Sequence, residues 1–350
     1  MNDNITPYVR YIGADDKDLD LFESQYVVPQ GISYNSYVIT DEKIAVMDTI
    51  DQRKTEEWTV RLEEALEGRT PDYLIVQHME PDHAANIGWF AEKYPEATIV
   101  ASAKAIQMMP QFFEEVNFAG RTQTVKEGDT LCLGQHTLKF IMAPMVHWPE
   151  VMLTYEESEK ILFSADAFGK FGALCHEGEW IDEARRYYFN IVGKYGAQVQ
   201  ALLKKAAGLD IAMICPLHGP VLKENLGYYI GLYDTWSKYE PETEGVVVAY
   251  ASIHGNTAAA ARRMAEILSE KGAAEVMLID LCRDDMALAV ESAFRYSKMI
   301  VAASSYDAGV FPPMFDFLHH LQIKNFQKRR VGIIENGSWA PTAGRMMSCM

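Results

Sequence analysis

The run His78-Met79-Glu80-Pro81-Asp82-His83 constrains this chain more than any other feature, because it follows directly on the apolar stretch Tyr73–Val76. Four side chains able to hold a metal ion fall within six residues, which packing alone does not explain. An apolar strand that ends in such a cluster presents chemistry to a cleft. Pro81 disfavours regular helix or sheet, so these side chains are expected to splay from a loop.

Three later signals repeat the pattern. His147 lies in A-P-M-V-H-W-P-E, Asp166 in L-F-S-A-D-A-F-G and His218 in I-C-P-L-H-G-P, and each closes a short apolar run. Any one of them is ordinary. Together with the first run they read as a two-metal site on His78, Glu80, Asp82, His83, His147, Asp166 and His218. Of the other histidines, His136 falls in a turn and His319-His320 at a helix end, both structural or exposed positions. His176 sits in F-G-A-L-C-H-E-G, a loop placed to roof the cleft.

The chain around these residues has 350 positions, 49% hydrophobic and 23% charged, an ordinary globular composition with room for two or three domains. A formal net charge of -17 argues against nucleic acid, whose phosphates require Lys and Arg. The N-terminus lacks the basic and apolar regions of a signal peptide, and no apolar run is long enough to span a membrane. Cys132, Cys175, Cys215, Cys282 and Cys349 are scattered without a C-x-x-C pair, which excludes a zinc ribbon or rubredoxin-type site and suggests the cytoplasm.

Strands are expected at 37–40, 44–47, 73–76, 98–101, 131–133, 138–142, 151–155, 161–164 and 211–215. Helices are expected at 54–66, 84–94, 184–206 and 224–239. In the first helix Trp58, Leu62, Ala65 and Leu66 share one face. A charged, proline-bearing linker, K-Y-E-P-E-T-E-G, divides a domain over 1–243 from one over 244–350. Beyond it, strands at 246–250, 275–279, 299–303 and 331–334 alternate with helices at 257–271, 284–295 and 313–321, the rhythm of a doubly wound parallel sheet.

The ordered ligand set resembles the metallo-β-lactamase superfamily, whose binuclear members carry H-x-H-x-D-H and then a distant His, an Asp and a last His. Glu80 stands where the second His belongs, as in the flavodiiron proteins. That resemblance runs from Tyr34-Asn35-Ser36-Tyr37 to the later loops. It implies a metallo-β-lactamase-like αβ/βα sandwich followed by a flavodoxin-like domain. It further implies that one iron lies on His78, Glu80 and His147, and the other on Asp82 and His218 with His83 as a further ligand. Asp166 would bridge the two. In some members the residue matching His83 turns away. Tyr187 and Tyr188, in R-R-Y-Y-F-N, match the family stretch that places a tyrosine near the irons. A carboxylate in place of an imidazole makes a site harder and more anionic, which suits iron over zinc.

Strand 246–250 runs into Ser252-Ile253-His254-Gly255-Asn256-Thr257 and then a helix, a hydroxyl-rich turn suited to a phosphate held by neutral donors. It has neither G-x-G-x-x-G nor G-K-[ST]. The loop resembles the phosphate loop of flavodoxins. Ser304-Ser305-Tyr306-Asp307-Ala308-Gly309 and Asn336-Gly337-Ser338-Trp339-Ala340 follow the next strand ends, where the flavin ring of such folds lies, and Trp339 or Tyr306 could stack on it. Flavodoxin-like folds have five strands, and four are found before Met350. Either the chain is partial or another element completes the sheet, and a partial chain is expected.

The implied function is an oxidoreductase with two non-haem irons and FMN, reducing dioxygen to water, nitric oxide to nitrous oxide, or both. The implied partners are an external donor such as rubredoxin or an NADH-linked reductase, and a second copy in a head-to-tail homodimer or dimer of dimers. A zinc-dependent hydrolase with an appended flavodoxin-like domain is the alternative, and a silent-site electron carrier or gas sensor is a second rival.

Overall fold

The structure is a computed structural model, and it describes residues 4–176 and 178–350. The chain divides into two compact units, Met1–Ala184 with Gln198–Ile230, and Arg185–Ala197 with Gly231–Met350.

In the first unit two mixed sheets face each other. One is ordered Val9–Tyr11, Tyr37–Thr40, Ile44–Met47, Tyr73–Val76, Thr98–Ser102, Thr122–Val125. The other is ordered Thr130–Cys132, Thr137–Met142, Met152–Glu156, Ile161–Phe163, Met213–Cys215. Alternate side chains of each sheet meet in one core, among them Tyr37, Ile39, Met47, Ile75 and Val100 against Phe140, Met152 and Phe163. Thr55–Leu66 covers the outer face of the first sheet and buries the four residues its spacing predicts, Trp58, Leu62, Ala65 and Leu66. Trp58 also donates its indole N–H to Ser36 Oγ at 3.1 Å.

Several local expectations change. Pro81 does not hold its neighbours in a loop: it opens the short helix Pro81–Ala84, where the first turn needs no N–H from it. The helix expected over 84–94 therefore becomes two, the second being Ile87–Lys93. The helix expected over 184–206 is broken. Trp180–Tyr187 passes into a π-helical turn, Tyr188–Val192, then a short 3₁₀ turn and Gly196–Ala206. Asn190 supports the widened turn by donating its side-chain amide to Arg186 O at 2.8 Å and Ala287 O at 3.0 Å. Sequence periodicity also missed Ala103–Phe112 and the short strands Val9–Tyr11, Ala14–Asp16, Leu21–Phe22, Tyr26–Val27, Ile32–Tyr34 and Thr122–Val125.

The second unit is built on a parallel sheet in the order Val276–Asp280, Thr243–Ala251, Tyr296–Tyr306, Arg330–Asn336. Numbered by sequence this is 2-1-3-4, the order that places a switch point between the first and third strands. The segment 304–309 is not a simple loop. The third strand reaches Tyr306, turns at Asp307-Ala308, and returns as Gly309–Val310. Both turn residues have positive φ, 48° and 58°, as a two-residue hairpin turn requires.

Candidate metal centre

Every predicted ligand lies just beyond a strand of the first unit, and different local devices aim each one. The strand Tyr73–Val76 delivers His78. The buried Asp48 carboxylate accepts from Gln77 N–H at 2.7 Å, Gln77 Nε2 at 2.9 Å and His78 N–H at 3.3 Å, fixing the chain as it leaves the sheet. Burial pushes Asp48 up to about 6, against those hydrogen bonds. The helical turn Pro81–Ala84 then directs Asp82 and His83, while Thr49 N–H and Oγ1 hold the His83 carbonyl at 2.9 and 2.7 Å. Asp166 follows Ala165, which sits at φ 48°. At Gly169 a Cβ would lie 3.0 Å from Asp166 O and 3.4 Å from His218 Cβ, so a side chain there would press on the turn after Asp166. The His218 loop is tied down by Asn35, which donates to Pro216 O and Gly219 O at 2.8 Å, and by Tyr37 Oη on Pro216 O at 2.8 Å. These contacts explain why the Tyr34-Asn35-Ser36-Tyr37 segment matters to the site.

The seven side chains converge as two groups sharing Asp166. His78 Nε2 is 3.3 Å from Glu80 Oε2 and 3.2 Å from Asp166 Oδ2, and His147 Nε2 is 3.0 Å from each of the same oxygens. On the other side His83 Nε2 is 3.2 Å from Asp166 Oδ1, 3.3 Å from Asp82 Oδ2 and 3.1 Å from His218 Nε2. His218 Nε2 is 3.3 Å from Asp82 Oδ2. Ligand atoms spaced by roughly 3 Å match the edges of a shell whose metal bonds are about 2.1 Å. One Asp166 oxygen faces each group. His83 points into its group rather than away.

The chemistry of the donors asks for cations. Both oxygens of Asp82 and of Asp166 are buried without a hydrogen-bond partner, an arrangement that is costly unless positive charge answers it. Burial opposes charge on the His147 ring, yet the Asp166 and Glu80 carboxylates 3.0 Å away outweigh it and push the ring up to about 9. The Asp166 carboxyl is held well below its ordinary range by the surrounding imidazoles despite its burial. His218 Nδ1 donates to Ser33 O at 2.7 Å, which leaves the Nε2 lone pair facing inward. Buried carboxylates beside inward imidazole lone pairs, in two groups sharing one aspartate, fit a pair of metal ions.

Three polar residues around the cluster escaped sequence reasoning. Glu150 accepts from His78 Nδ1 at 2.8 Å, and Asp48 and Ser33 act as described. Glu23, at the tip of the Leu21–Phe22 and Tyr26–Val27 hairpin, is pushed up to about 7 by desolvation on its inner side and by the Glu80 charge. Phe22 of the same hairpin sets its ring 5.5 Å from that of His218 and 5.6 Å from that of Phe171. His176 is exposed, its N–H donating to Ala173 O. Tyr187 and Tyr188 are buried, and Tyr188 packs among the rings of Phe189, Tyr233 and Trp236. His136 is buried rather than exposed, bonded to Asp41.

In the second unit the three predicted loops gather at the C-terminal ends of the strands. Gly255, at φ 90°, caps the helix Asn256–Glu270 and donates its N–H to Ser252 Oγ at 3.1 Å. Ile253, His254 and Asn256 are exposed, and Thr257 is buried at the helix start. Asn336 reaches across to Thr257 Oγ1 at 3.1 Å. A cavity of about 310 Å³ is lined by residues of the other two loops, including Ser305, Tyr306, Gly337 and Trp339. Trp339 is 84% exposed there, and Ser304, Asp307, Ala308, Gly309, Ser338 and Ala340 complete the two loops.

Residues 32–219 match the family described as ODP family beta lactamase. The chain is 29% identical over 353 residues to an anaerobic nitric oxide reductase flavorubredoxin of Aliivibrio fischeri, covering 97% of this chain and 70% of that one. It is similar in structure to the flavodiiron protein of Giardia intestinalis, with TM-score 0.92, 26% identity, and coverage of 98% and 85% of the two chains. It is equally similar to rubredoxin:oxygen oxidoreductase of Desulfovibrio gigas, with TM-score 0.92, 26% identity, and coverage of 99% and 88%. The family match spans the whole ligand set and the structural likeness spans both units, so this chain belongs to the flavodiiron proteins of the ODP family.

Proposed function

We propose that this protein is an FMN-dependent di-iron oxidoreductase that reduces dioxygen to water, nitric oxide to nitrous oxide, or both. The observation that carries the reading is Glu80. It contributes a carboxylate to the group of His78, His147 and Asp166, where a third imidazole would favour a zinc-bound hydrolytic water. His78, Glu80 and His147 would hold one iron and Asp82, His83 and His218 the other, with Asp166 shared between the two groups. Bound iron supplies the one-electron chemistry and the open positions that a diatomic gas requires. The protein contributes the rest. Asp48 and Glu150 fix the first ligands, and Phe22 and Phe171 exclude water from the His218 side.

The loops that follow strands one, three and four of the second unit would hold FMN, with Ser252 to Thr257 taking its phosphate and Tyr306 and Trp339 its ring. The names of the relatives, flavorubredoxin and rubredoxin:oxygen oxidoreductase, favour a rubredoxin-like donor. We further assign a head-to-tail homodimer, in which the flavin of one chain serves the irons of the other. Among the described residues no helix is long and apolar enough to cross a membrane. The five unpaired cysteines fit the cytoplasm.

The test is to assay iron, zinc and FMN in the purified protein and to follow both gases with one reduced donor. Iron, FMN and gas consumption are expected. A zinc-filled site with no consumption of either gas would refute the proposal.

A further inference from the structure

The two halves of the cluster have matching inventories. Each offers two imidazoles, one carboxylate and one oxygen of Asp166. What stands behind those ligands is then a source of inequality between two ions held there. The backing differs for the three imidazoles whose outer nitrogen can be followed. His78 Nδ1 meets the Glu150 carboxylate at 2.8 Å, with both side chains fully buried. His218 Nδ1 meets a backbone carbonyl, Ser33 O, at 2.7 Å. His83 Nδ1 is buried with no partner.

Glu150 is built into this position. Its Oε1 also accepts Met79 N–H at 2.9 Å, and its own carbonyl accepts Ser102 Oγ at 2.8 Å. Its Oε2 is buried and unpartnered, so the carboxylate's charge is answered chiefly through His78. A carboxylate behind a metal-bound imidazole makes that ring a stronger donor than a carbonyl does, because it carries a full negative charge.

We propose that Glu150 is a positioning residue that makes the two irons unequal, so that the His78 half retains ferric iron while the His83 half accepts the first electron. The change is a single-electron reduction of one ferric ion to ferrous, with the electron drawn from an external low-potential donor. No bond is made or broken. The inference rests on the di-iron reading given above.

The experiment is a redox titration of the iron-loaded protein with dithionite and mediators, followed by electron paramagnetic resonance and by Mössbauer spectra of ⁵⁷Fe. Wild type, Glu150→Gln and Glu150→Asp are compared. In wild type the mixed-valent state should accumulate and show two distinct irons. Glu150→Gln keeps the shape and loses the charge. It should raise the potential of the second iron reduction, narrow the gap between the two couples and shrink the maximal mixed-valent signal. The flavin couples should not move. Glu150→Asp, which keeps the charge, should restore much of the gap. Unchanged couples in an iron-replete Glu150→Gln protein, or equal shifts of both, overturn the proposal. If Glu150→Gln binds less iron, cobalt(II) titration of the apoproteins decides. Weakening of one of two binding steps supports the inequality, and equal weakening or none overturns it. A wild-type protein without an iron pair would instead sink the di-iron reading itself.

Discussion

Removing the Asp166 carboxylate takes one oxygen from each half of the cluster at once. Outer partners of a metal ligand typically matter by about 10- to 100-fold in affinity or activity. Asp166→Ala should therefore cost more than ~100-fold in gas reduction and should lower the iron content of both sites. His83→Ala removes a ring that nothing holds from behind, so its loss should be milder: iron retained in the His78 half and a partial fall in rate. Iron analysis with steady-state gas consumption checks both, and equal damage from the two changes would contradict the grouping seen here. Four of the candidate ligands fall in one six-residue run just after an apolar strand, and His147, Asp166 and His218 each follow a further apolar run, which is why the set stands out in the sequence. Glu150 was not legible. It lies 72 residues from His78, and only the pairing of two distant strand ends gives it a role. Asp48 reaches Gln77 in the same way across 29 residues.

At the scale of elements, the helix Thr55–Leu66 was readable because its apolar face repeats at helical spacing. Trp58→Ala removes a fully buried ring and its hydrogen bond to Ser36. It should cost about 3–5 kcal/mol of stability, measured by chemical denaturation. The short N-terminal strands were missed because two or three residues carry no periodicity, and Pro81 was misread because its effect depends on whether it falls inside a helix or begins one. A second element-scale device joins the turn before Ile44–Met47 to the turn before Thr137–Met142. There Asp41 accepts from His136 N–H at 2.7 Å and meets its ring Nδ1 at 2.9 Å. Burial works to raise the Asp41 carboxyl, but the hydrogen bonds from His136 and Glu42 outweigh it and hold the carboxyl below its ordinary 3.8. A carboxyl lowered on folding stabilises above its unfolded value, and that stability is lost as pH falls through the folded value. Asp41→Asn should therefore be less stable near neutral pH, by about 1–3 kcal/mol. It should also show a shallower loss below pH 4, an outcome read from denaturation midpoints across an acid series. A curve parallel to wild type would remove Asp41 from the account.

For the whole molecule, strand–helix alternation pointed to a parallel sheet, whereas the 2-1-3-4 order comes from the structure, because right-handed crossovers fix the hand of each connection and not the strand order. How many chains a working enzyme needs was not legible, since one sequence describes one copy. The proposed head-to-tail dimer makes a specific prediction. Ser252→Glu with Thr257→Glu places two negative charges where a phosphate is expected, so that chain should lose FMN while keeping iron. Asp166→Ala should lose iron while keeping FMN. Each homodimer should then be inactive. A heterodimer of the two, isolated through different tags, carries one intact iron pair on one chain and one intact flavin on the other. If electrons pass between chains, that heterodimer has one working pair out of two and should recover about half the wild-type rate. If they pass within a chain, neither pair works and the heterodimer should be as inactive as its parents. The two arrangements thus differ by nearly the whole signal, and the flavin spectrum and iron content of the same sample show that both cofactors were present when the rate was read.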